Sequence, residues 1–240
     1  MDPPSPNSTL ILALDLKTKT SALALLKRLG GSLSWVKIGL QMFTRYGPDI
    51  VKEIADQGYS IFLDLKLHDI PNTVANAIDS LSGYPIGLLT LHCFGGPEMM
   101  QWAREARDRS HKKGMQLIGV TVLTSMDASN LAALGIRRSL PTQVLRLAHL
   151  AIDEGGLDGL VCSPQEVGIL RSQIGPEPLL LTPGIRPAGS NPNEQKRIAT
   201  PTEAIRQGAT HIIVGRPILA AKNPTRVVKG ILKEIGQTNG

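Results

Sequence analysis

Eight short aliphatic runs recur along this chain of 240 residues, each about as long as a buried β-strand. They are LILALDL (10–16), WVKIGL (35–40), IFLDLKL (61–67), GLLTLH (87–92), LIGVTVL (117–123), GLVC (159–162), LLLTPGI (179–185) and HIIVG (211–215). Between them lie segments with helical spacing, many of which end in glycine, such as KTSALALLKRLG and PDIVKEIADQG. Strand and helix that alternate eight times predict a single-domain α/β protein, a (β/α)8 TIM barrel over residues 9–240.

The N-terminal residues 1–8 are polar and rich in proline, which predicts a disordered tail and no signal peptide. No apolar run reaches the roughly 20 residues that a membrane-spanning helix requires. Cys93 and Cys162 belong to no C-x-x-C pair and to no metal spacing, so free thiols in a reducing compartment are the simplest interpretation. We therefore expect a soluble, cytoplasmic protein without a membrane partner.

The net charge of +6 suggests anionic partners. The Lys and Arg residues are scattered along the chain, however, and no basic run is interleaved with aromatic residues, which are only 3% of the chain. This pattern predicts a solvated basic surface and no nucleic-acid site. The scarcity of aromatic residues also predicts an aliphatic core.

Polar residues follow the predicted strands at their carboxyl ends, where barrels of this class carry their chemistry. Because side chains alternate along a strand, Asp64 and Lys66 share one face and stand roughly 7 Å apart. That face should be the barrel interior, since Leu63, Leu65 and Leu67 supply the opposite, apolar face. The same parity sends Asp15 inward. The polar residues at these strand ends are Asp15, Lys37, Asp64, Lys66, His92, Thr124, Arg186 and Arg216.

These charged residues allow more than one interpretation. A buried charge costs several kcal/mol unless it is paired, and here two lysines face acids. The set could therefore be catalytic, or it could be an ion-pair network that only closes the barrel mouth. Asp69 could simply cap the helix that Pro71 would begin. His68, just past the strand, fits a hydrogen-bonded structural histidine better than a metal ligand.

A phosphate site is predicted after the last two strands. TPGIRP and VGRPI each combine a glycine, whose backbone can approach a ligand closely, with an arginine that can bind phosphate through two hydrogen bonds. Barrels of this class often hold a substrate phosphate there. The polar segment PAGSNPNEQKR between them suits a loop that closes over a ligand, although it could also be an idle surface excursion.

The segment FLDLKLHDIPNTV (62–74) resembles the signature of the orotidine 5′-monophosphate decarboxylase family. LALDL, VKIGL, GVTVLTS, TPGIRP, the glutamine of NEQKR and IIVGRPI occur in the order of that family, so the resemblance covers nearly the whole chain. One departure is LHCFGG, where Cys93 stands in place of a small residue. This cysteine should alter only the packing near His92.

The resemblance implies removal of CO2 from C6 of orotidine monophosphate to give UMP, the last step of de novo UMP biosynthesis, without a cofactor or a metal. It implies Lys66 as the proton donor, Asp64 against the substrate carboxylate, and a homodimer whose partner subunit supplies Asp69 to an alternating array that includes Lys37. The substrate-binding residues that it implies are Asp15, Lys37 and the partner's Thr73 at the ribose, Asp64 at the carboxylate, Thr124 at the pyrimidine, and Arg186, Gln195, Gly215 and Arg216 at the phosphate.

Two alternatives remain open. The inward acids could join His68 and His92 around a divalent metal, as in a metal-dependent sugar-phosphate epimerase, aldolase or decarboxylase of a related barrel. The chain could also be a non-catalytic nucleotide-binding barrel, although such a protein has no reason to keep both inward lysines. Activity that survives EDTA would remove the first alternative, and UMP binding without turnover would support the second.

Overall fold

A computed structural model describes residues 9–110, 114–187 and 198–236, and in it the eight aliphatic runs form a closed parallel barrel. Each strand pairs with the next along the chain, and β8 returns to pair with β1. The predicted (β/α)8 barrel is confirmed, whereas the predicted tail lies outside the described residues. The strands are β1 (Leu10–Ala13), β2 (Trp35–Gly39), β3 (Ser60–Leu67), β4 (Ile86–His92), β5 (Gln116–Val120), β6 (Gly159–Val161), β7 (Leu179–Thr182) and β8 (His211–Val214).

Helices follow the strands, and none of those described is long and apolar enough to cross a membrane. A 3-10 turn follows β4 (Cys93–Gly95), and a π-helical turn (Leu150–Glu154) follows the seventh helix. The helices are α1 (Lys19–Leu29), α2 (Leu40–Tyr46), α3 (Asp49–Ala55), α4 (Pro71–Leu81), α5 (Gly96–Arg109), α6 (Ala128–Ala133), α7 (Leu140–His149), α8 (Val167–Ile174), α9 (Pro201–Arg206), α10 (Arg216–Leu219) and α11 (Pro224–Gly236).

Local sequence signals fix several helix ends. The Thr18 side chain accepts a hydrogen bond from the backbone N–H of Ser21 at 3.2 Å and so caps the start of α1. The same helix ends at Gly30, whose left-handed φ of 54° favours glycine. Thr200 and Glu203 form a reciprocal capping box at the start of α9. These capping residues set where each helix begins or ends, and thus where the chain passes between helix and barrel.

Strand side chains alternate between two apolar cores. The larger core lies between the strands and the helices, and it includes the leucines of β1 and Leu63 of β3. The parity predicted for these two strands is therefore confirmed. The smaller core fills the barrel interior and consists of Ile11, Ala13, Phe62, Leu88, Ile118, Leu181 and Ile213.

The pairing register between β3 and β4 shifts near the carboxyl end of β3. Leu63 and Leu67 pair with Leu89 and Leu91 of β4, so the three residues 64–66 lie opposite the single residue Thr90. Lys66 has a left-handed φ of 51°, the only positive value for a non-glycine residue in the described parts of the chain. Such a conformation costs on the order of 1–3 kcal/mol and persists only where its surroundings impose it. Asp64 and Lys66 thus reach the same cavity through a bulge, where the sequence predicted a regular strand.

Candidate active site

A cavity of about 290 Å3 lies at the carboxyl ends of the strands. Its apolar lining includes Ala13, Phe62 and Ile213 of the inner core. Its charged and hydrogen-bonding lining consists of residues that the sequence had already indicated. They are Asp15, Lys37, Asp64, Lys66, Thr124, Arg186, Gly215 and Arg216.

Four of these side chains form a continuous row of ion pairs. The Asp15 and Lys37 side chains are 3.4 Å apart, Lys37 Nζ lies 3.2 Å from Asp64 Oδ2, and Lys66 Nζ lies 2.8 Å from Asp64 Oδ1. The two inner side chains, Lys37 and Asp64, are only 12% and 11% exposed, whereas Lys66 is 31% exposed. Charges therefore alternate along one wall, with the 57% exposed Asp15 at one end and Lys66 at the other.

The row keeps its inner groups charged although burial opposes this. Burial favours a neutral Lys37 amine, but the carboxylates of Asp64 and Asp15 outweigh it and raise the pKa of Lys37 above its ordinary value. Burial likewise favours a neutral Asp64, but the ammonium groups of Lys37 and Lys66 hold the pKa of Asp64 below its ordinary value. Opposite charges at such short distances stabilise each other's ionised forms. Both groups are therefore ionised at neutral pH.

Thr90 lies behind this wall and supports it through hydrogen bonds, although sequence reasoning missed it. Its Oγ1 accepts a hydrogen bond from the backbone N–H of Lys66 at 2.8 Å and donates one to Asp64 Oδ1 at 3.0 Å. The residue is fully buried in β4. The signal that could have found it is a lone threonine inside the aliphatic run GLLTLH, since a buried hydroxyl needs a partner.

The same cavity also carries two arginines, which follow β7 and β8. Arg186 is buried, and its Nη1 donates to the carbonyl of Ile185 at 2.8 Å. Its Nε and Nη2 are buried and find no acceptor among the described residues. Burial and the nearby charge of Arg216 both lower the pKa of Arg186. Buried donors without an acceptor cost free energy, so this pair of guanidinium groups suits a bound anion such as phosphate.

Two residues implied by the family resemblance do not join the cavity in this chain. Asp69 and Thr73 are exposed and do not line it. The Asp69 carboxylate instead accepts a hydrogen bond from the backbone N–H of Ile70 at 2.7 Å, just before α4. Gln195 lies outside the described residues. Within the described part of one chain, Lys66 therefore pairs with Asp64 alone.

The histidines near this cavity stack on each other. The rings of His68 and His92 lie 5.3 Å apart, and this stacking takes the place of the hydrogen bond predicted for His68. Burial, with the nearby His68 and Lys66, lowers the pKa of His92 to about 4. Among residues 9–110, 114–187 and 198–236, no three His, Cys, Asp or Glu side chains are arranged to hold a metal ion.

Both cysteines are free and buried, and burial raises the pKa of each thiol to about 12. Cys93 packs against β5 at Gly119, where an added Cβ would lie 2.7 Å from its Sγ. Its role is packing in the outer core, as the sequence predicted. Cys162 lines the cavity, a position that sequence reasoning did not assign to it.

Known proteins are similar to this chain in both sequence and fold. The sequence model of the orotidine 5′-phosphate decarboxylase / HUMPS family matches residues 8–231. An orotidine 5′-phosphate decarboxylase of Opitutus terrae is 50% identical over 226 residues, which cover 94% of this chain and 97% of that protein. One of Haemophilus influenzae is 47% identical over 229 residues, 95% and 99% of the two chains. The crystal structure of the decarboxylase from Lactobacillus acidophilus aligns with a TM-score of 0.84 at 38% identity, covering 95% of this chain and 99% of that one.

Proposed function

The chain belongs to the orotidine 5′-phosphate decarboxylase / HUMPS family, and we propose that its cavity binds orotidine 5′-monophosphate between the row of ion pairs and the two arginines. Its reaction is that of a carboxy-lyase of pyrimidine biosynthesis, which converts this nucleotide to UMP and CO2. The observation that best supports the proposed site is the Lys66 ammonium, held 2.8 Å from Asp64 in the cavity that also contains Arg186.

Decarboxylation at C6 makes a specific demand on the site. Loss of CO2 leaves an electron pair in the plane of the pyrimidine ring, where the π system cannot delocalise it. The site must therefore stabilise a localised carbanion and then protonate it. Lys66 Nζ can do both, because its ammonium charge lies beside the developing electron pair and one of its protons passes to C6. Asp64 stays ionised and repels the substrate carboxylate, which departs as CO2.

Repulsion from Asp64 supplies only part of the rate enhancement. Two like charges about 4 Å apart repel by about 4 kcal/mol at an effective dielectric near 20. Enzymes commonly lower barriers by roughly 8–23 kcal/mol. The remainder comes from the preorganised Lys66 ammonium and from phosphate binding energy that closes and desolvates the site.

The other cavity residues bind the rest of the nucleotide. Asp15 and Lys37 hold the ribose hydroxyls, and Thr124 meets the pyrimidine. Arg186, Arg216 and the backbone at Gly215 hold the phosphate. A Cβ at position 215 would lie only 3.3 Å from that of Ala13, so glycine keeps the chain close to β1 here. Gln195 is proposed for the phosphate as well, from the family resemblance alone.

The working form is proposed to be a cytoplasmic homodimer in which Asp69 and Thr73 enter the partner subunit's cavity. Both residues are exposed and close in sequence to Lys66: Asp69 lies between β3 and α4, and Thr73 lies in the first turn of α4. Ile70 beside them is 65% exposed, and an exposed large aliphatic side chain suits a contact surface. A two-fold axis would place one such contact at each cavity. The partner's Asp69 would then extend the row of alternating charges beyond Lys66.

A direct assay tests this function. Purified protein is treated with EDTA and mixed with orotidine 5′-monophosphate, and the loss of substrate absorbance is followed together with the formation of UMP. Full turnover after EDTA is the expected result. Turnover that EDTA abolishes and a divalent metal restores would favour the metal-dependent alternative. Binding of UMP without turnover would favour the non-catalytic alternative.

A further inference from the structure

The Thr90 hydroxyl lies opposite the bulge in β3. Leu89 and Leu91, on either side of it, pair with Leu63 and Leu67, so Thr90 faces three residues of the neighbouring strand. At this point the backbone N–H of Lys66 donates to Thr90 Oγ1 at 2.8 Å. A side-chain hydroxyl thus holds the one non-glycine residue with a left-handed backbone in the described parts of the chain.

The same hydroxyl donates its proton to Asp64 Oδ1 at 3.0 Å. That carboxylate oxygen also accepts from Lys66 Nζ at 2.8 Å. The contacts therefore close a ring that runs from the Lys66 N–H through the hydroxyl and the carboxylate to the Lys66 ammonium. Thr90 is fully buried, and its β-branched side chain is stiff about χ1. Strand β4 thus fixes the position of the hydroxyl.

We propose that Thr90 is a positioning residue for decarboxylation, whose hydroxyl orients the Asp64 carboxylate and holds the Lys66 backbone in the conformation that directs its ammonium into the cavity. Thr90 does not itself line the cavity, so it acts through these two residues. The inference rests on the proposed roles of Lys66 and Asp64. Through Thr90, strand β4 would also contribute to the reaction, although it supplies none of the other proposed site residues.

Two substitutions of Thr90 separate orientation from mere packing. Thr90→Val keeps the shape but removes both hydrogen bonds, whereas Thr90→Ser keeps the hydroxyl. A displacement of about 1 Å at a reacting group can cost on the order of 100-fold in rate, so kcat of Thr90→Val should fall by about 10- to 100-fold. Thr90→Ser should retain most of the wild-type kcat. The UMP dissociation constant should change by less than about threefold in either variant, because the phosphate contacts are unaltered.

The matched control is Thr121→Val. Thr121 follows β5 and is also fully buried, but among the described residues its hydroxyl donates only to the carbonyl of Val161, at 3.2 Å. This variant should lose stability as Thr90→Val does and keep its kcat per folded site. Folded sites are counted by UMP titration, so a loss of stability is not mistaken for a loss of catalysis.

A kcat for Thr90→Val within about twofold of wild type would overturn the proposal, and so would an equal loss in Thr90→Ser or in Thr121→Val. If Thr90→Val does not fold, Thr90→Ala and Thr90→Ser provide the same comparison. A wild-type protein that does not release CO2 from orotidine 5′-monophosphate would instead overturn the proposed function. The two failures are thereby distinguishable.

Discussion

The side chain of Lys66 is proposed to stabilise the carbanion and to protonate it, so its removal should affect turnover far more than binding. In Lys66→Ala, Asp64 still has Lys37 at 3.2 Å and the Thr90 hydroxyl at 3.0 Å, so the barrel should fold and bind UMP. Loss of a general acid typically costs about 100- to 10,000-fold, and kcat should fall by at least that much. The control is Lys19→Ala, which removes an exposed lysine paired with Glu53. A kcat for Lys66→Ala within about tenfold of wild type would contradict the role.

Arg216 should affect binding of the phosphate more than the chemical step. A charge-assisted hydrogen bond contributes roughly 1.5–3 kcal/mol, so Arg216→Ala should lower kcat/KM by about 10- to 150-fold, mainly through KM. Orotidine, which lacks the phosphate, provides the control substrate. Its slow turnover should be nearly the same in wild type and variant. An equal loss on both substrates would mean that Arg216 does not act through the phosphate.

The residues that the sequence revealed differ physically from those it missed. Charged residues at the ends of apolar strands are conspicuous, because burial of a charge demands a partner. Thr90 and Cys162 are uncharged residues within aliphatic runs, so nothing in their own chemistry marks them as site residues. Their positions matter because of what lies opposite them, and that depends on strand register, which periodicity alone does not determine.

Strands were predicted reliably as elements, but their ends were not. The first, fifth and seventh runs were predicted to extend to residues 16, 123 and 185, whereas β1, β5 and β7 end at Ala13, Val120 and Thr182. Leu14 and Ile185 remain fully buried beyond these ends, because the segments that leave the barrel also pack into the outer core. Apolar sequence therefore continues where the ladder of hydrogen bonds has stopped. Nothing in the sequence marks the bulge at Lys66, since it contains neither glycine nor proline.

Strand β8 begins at a buried histidine that should make the barrel sensitive to acid. Burial lowers the pKa of His211 from 6.5 to about 4. As pH falls from about 6.5 to about 4, the His211 imidazole becomes protonated in the unfolded chain but stays neutral in the folded chain. The stabilisation is therefore complete above pH 6.5 and is lost through this window, by about 3 kcal/mol in total.

Urea unfolding at pH 7.5 and pH 5.0 measures this effect. The free energy of unfolding of His211→Gln should fall by about 2 kcal/mol less than that of wild type between the two pH values. An equal pH dependence in His211→Gln and wild type would show that His211 is not the group responsible.

At the scale of the whole molecule, closure of the barrel brings together the two ends of the site. The row of ion pairs comes from β1, β2 and β3, and the arginines follow β7 and β8. Because β8 pairs with β1, with Leu12 opposite Val214, these distant segments line one cavity. Alternation of strands and helices was enough to predict this architecture. The dimer was implied only by family resemblance, because exposed residues such as Asp69 carry no periodic signal of a partner.

Decarboxylation is proposed to depend on an array to which one chain contributes Lys66 and its partner contributes Asp69. Lys66→Ala and Asp69→Ala proteins, each inactive alone, are unfolded, mixed in equal amounts and refolded. Random pairing makes about half of the dimers mixed, and each mixed dimer has one doubly defective site and one intact site. Asp69 also accepts a hydrogen bond from Ile70 within its own chain, and a role confined to that contact would allow no such rescue.

Decarboxylase activity of the refolded mixture is the deciding measurement. Activity should return to about a quarter of that of the same amount of refolded wild type, because about a quarter of all sites are intact. Two differently tagged chains, recovered together, verify that mixed dimers have formed. A mixture that contains mixed dimers yet stays as inactive as its parents would contradict the shared site and would place the action of Asp69 within its own chain.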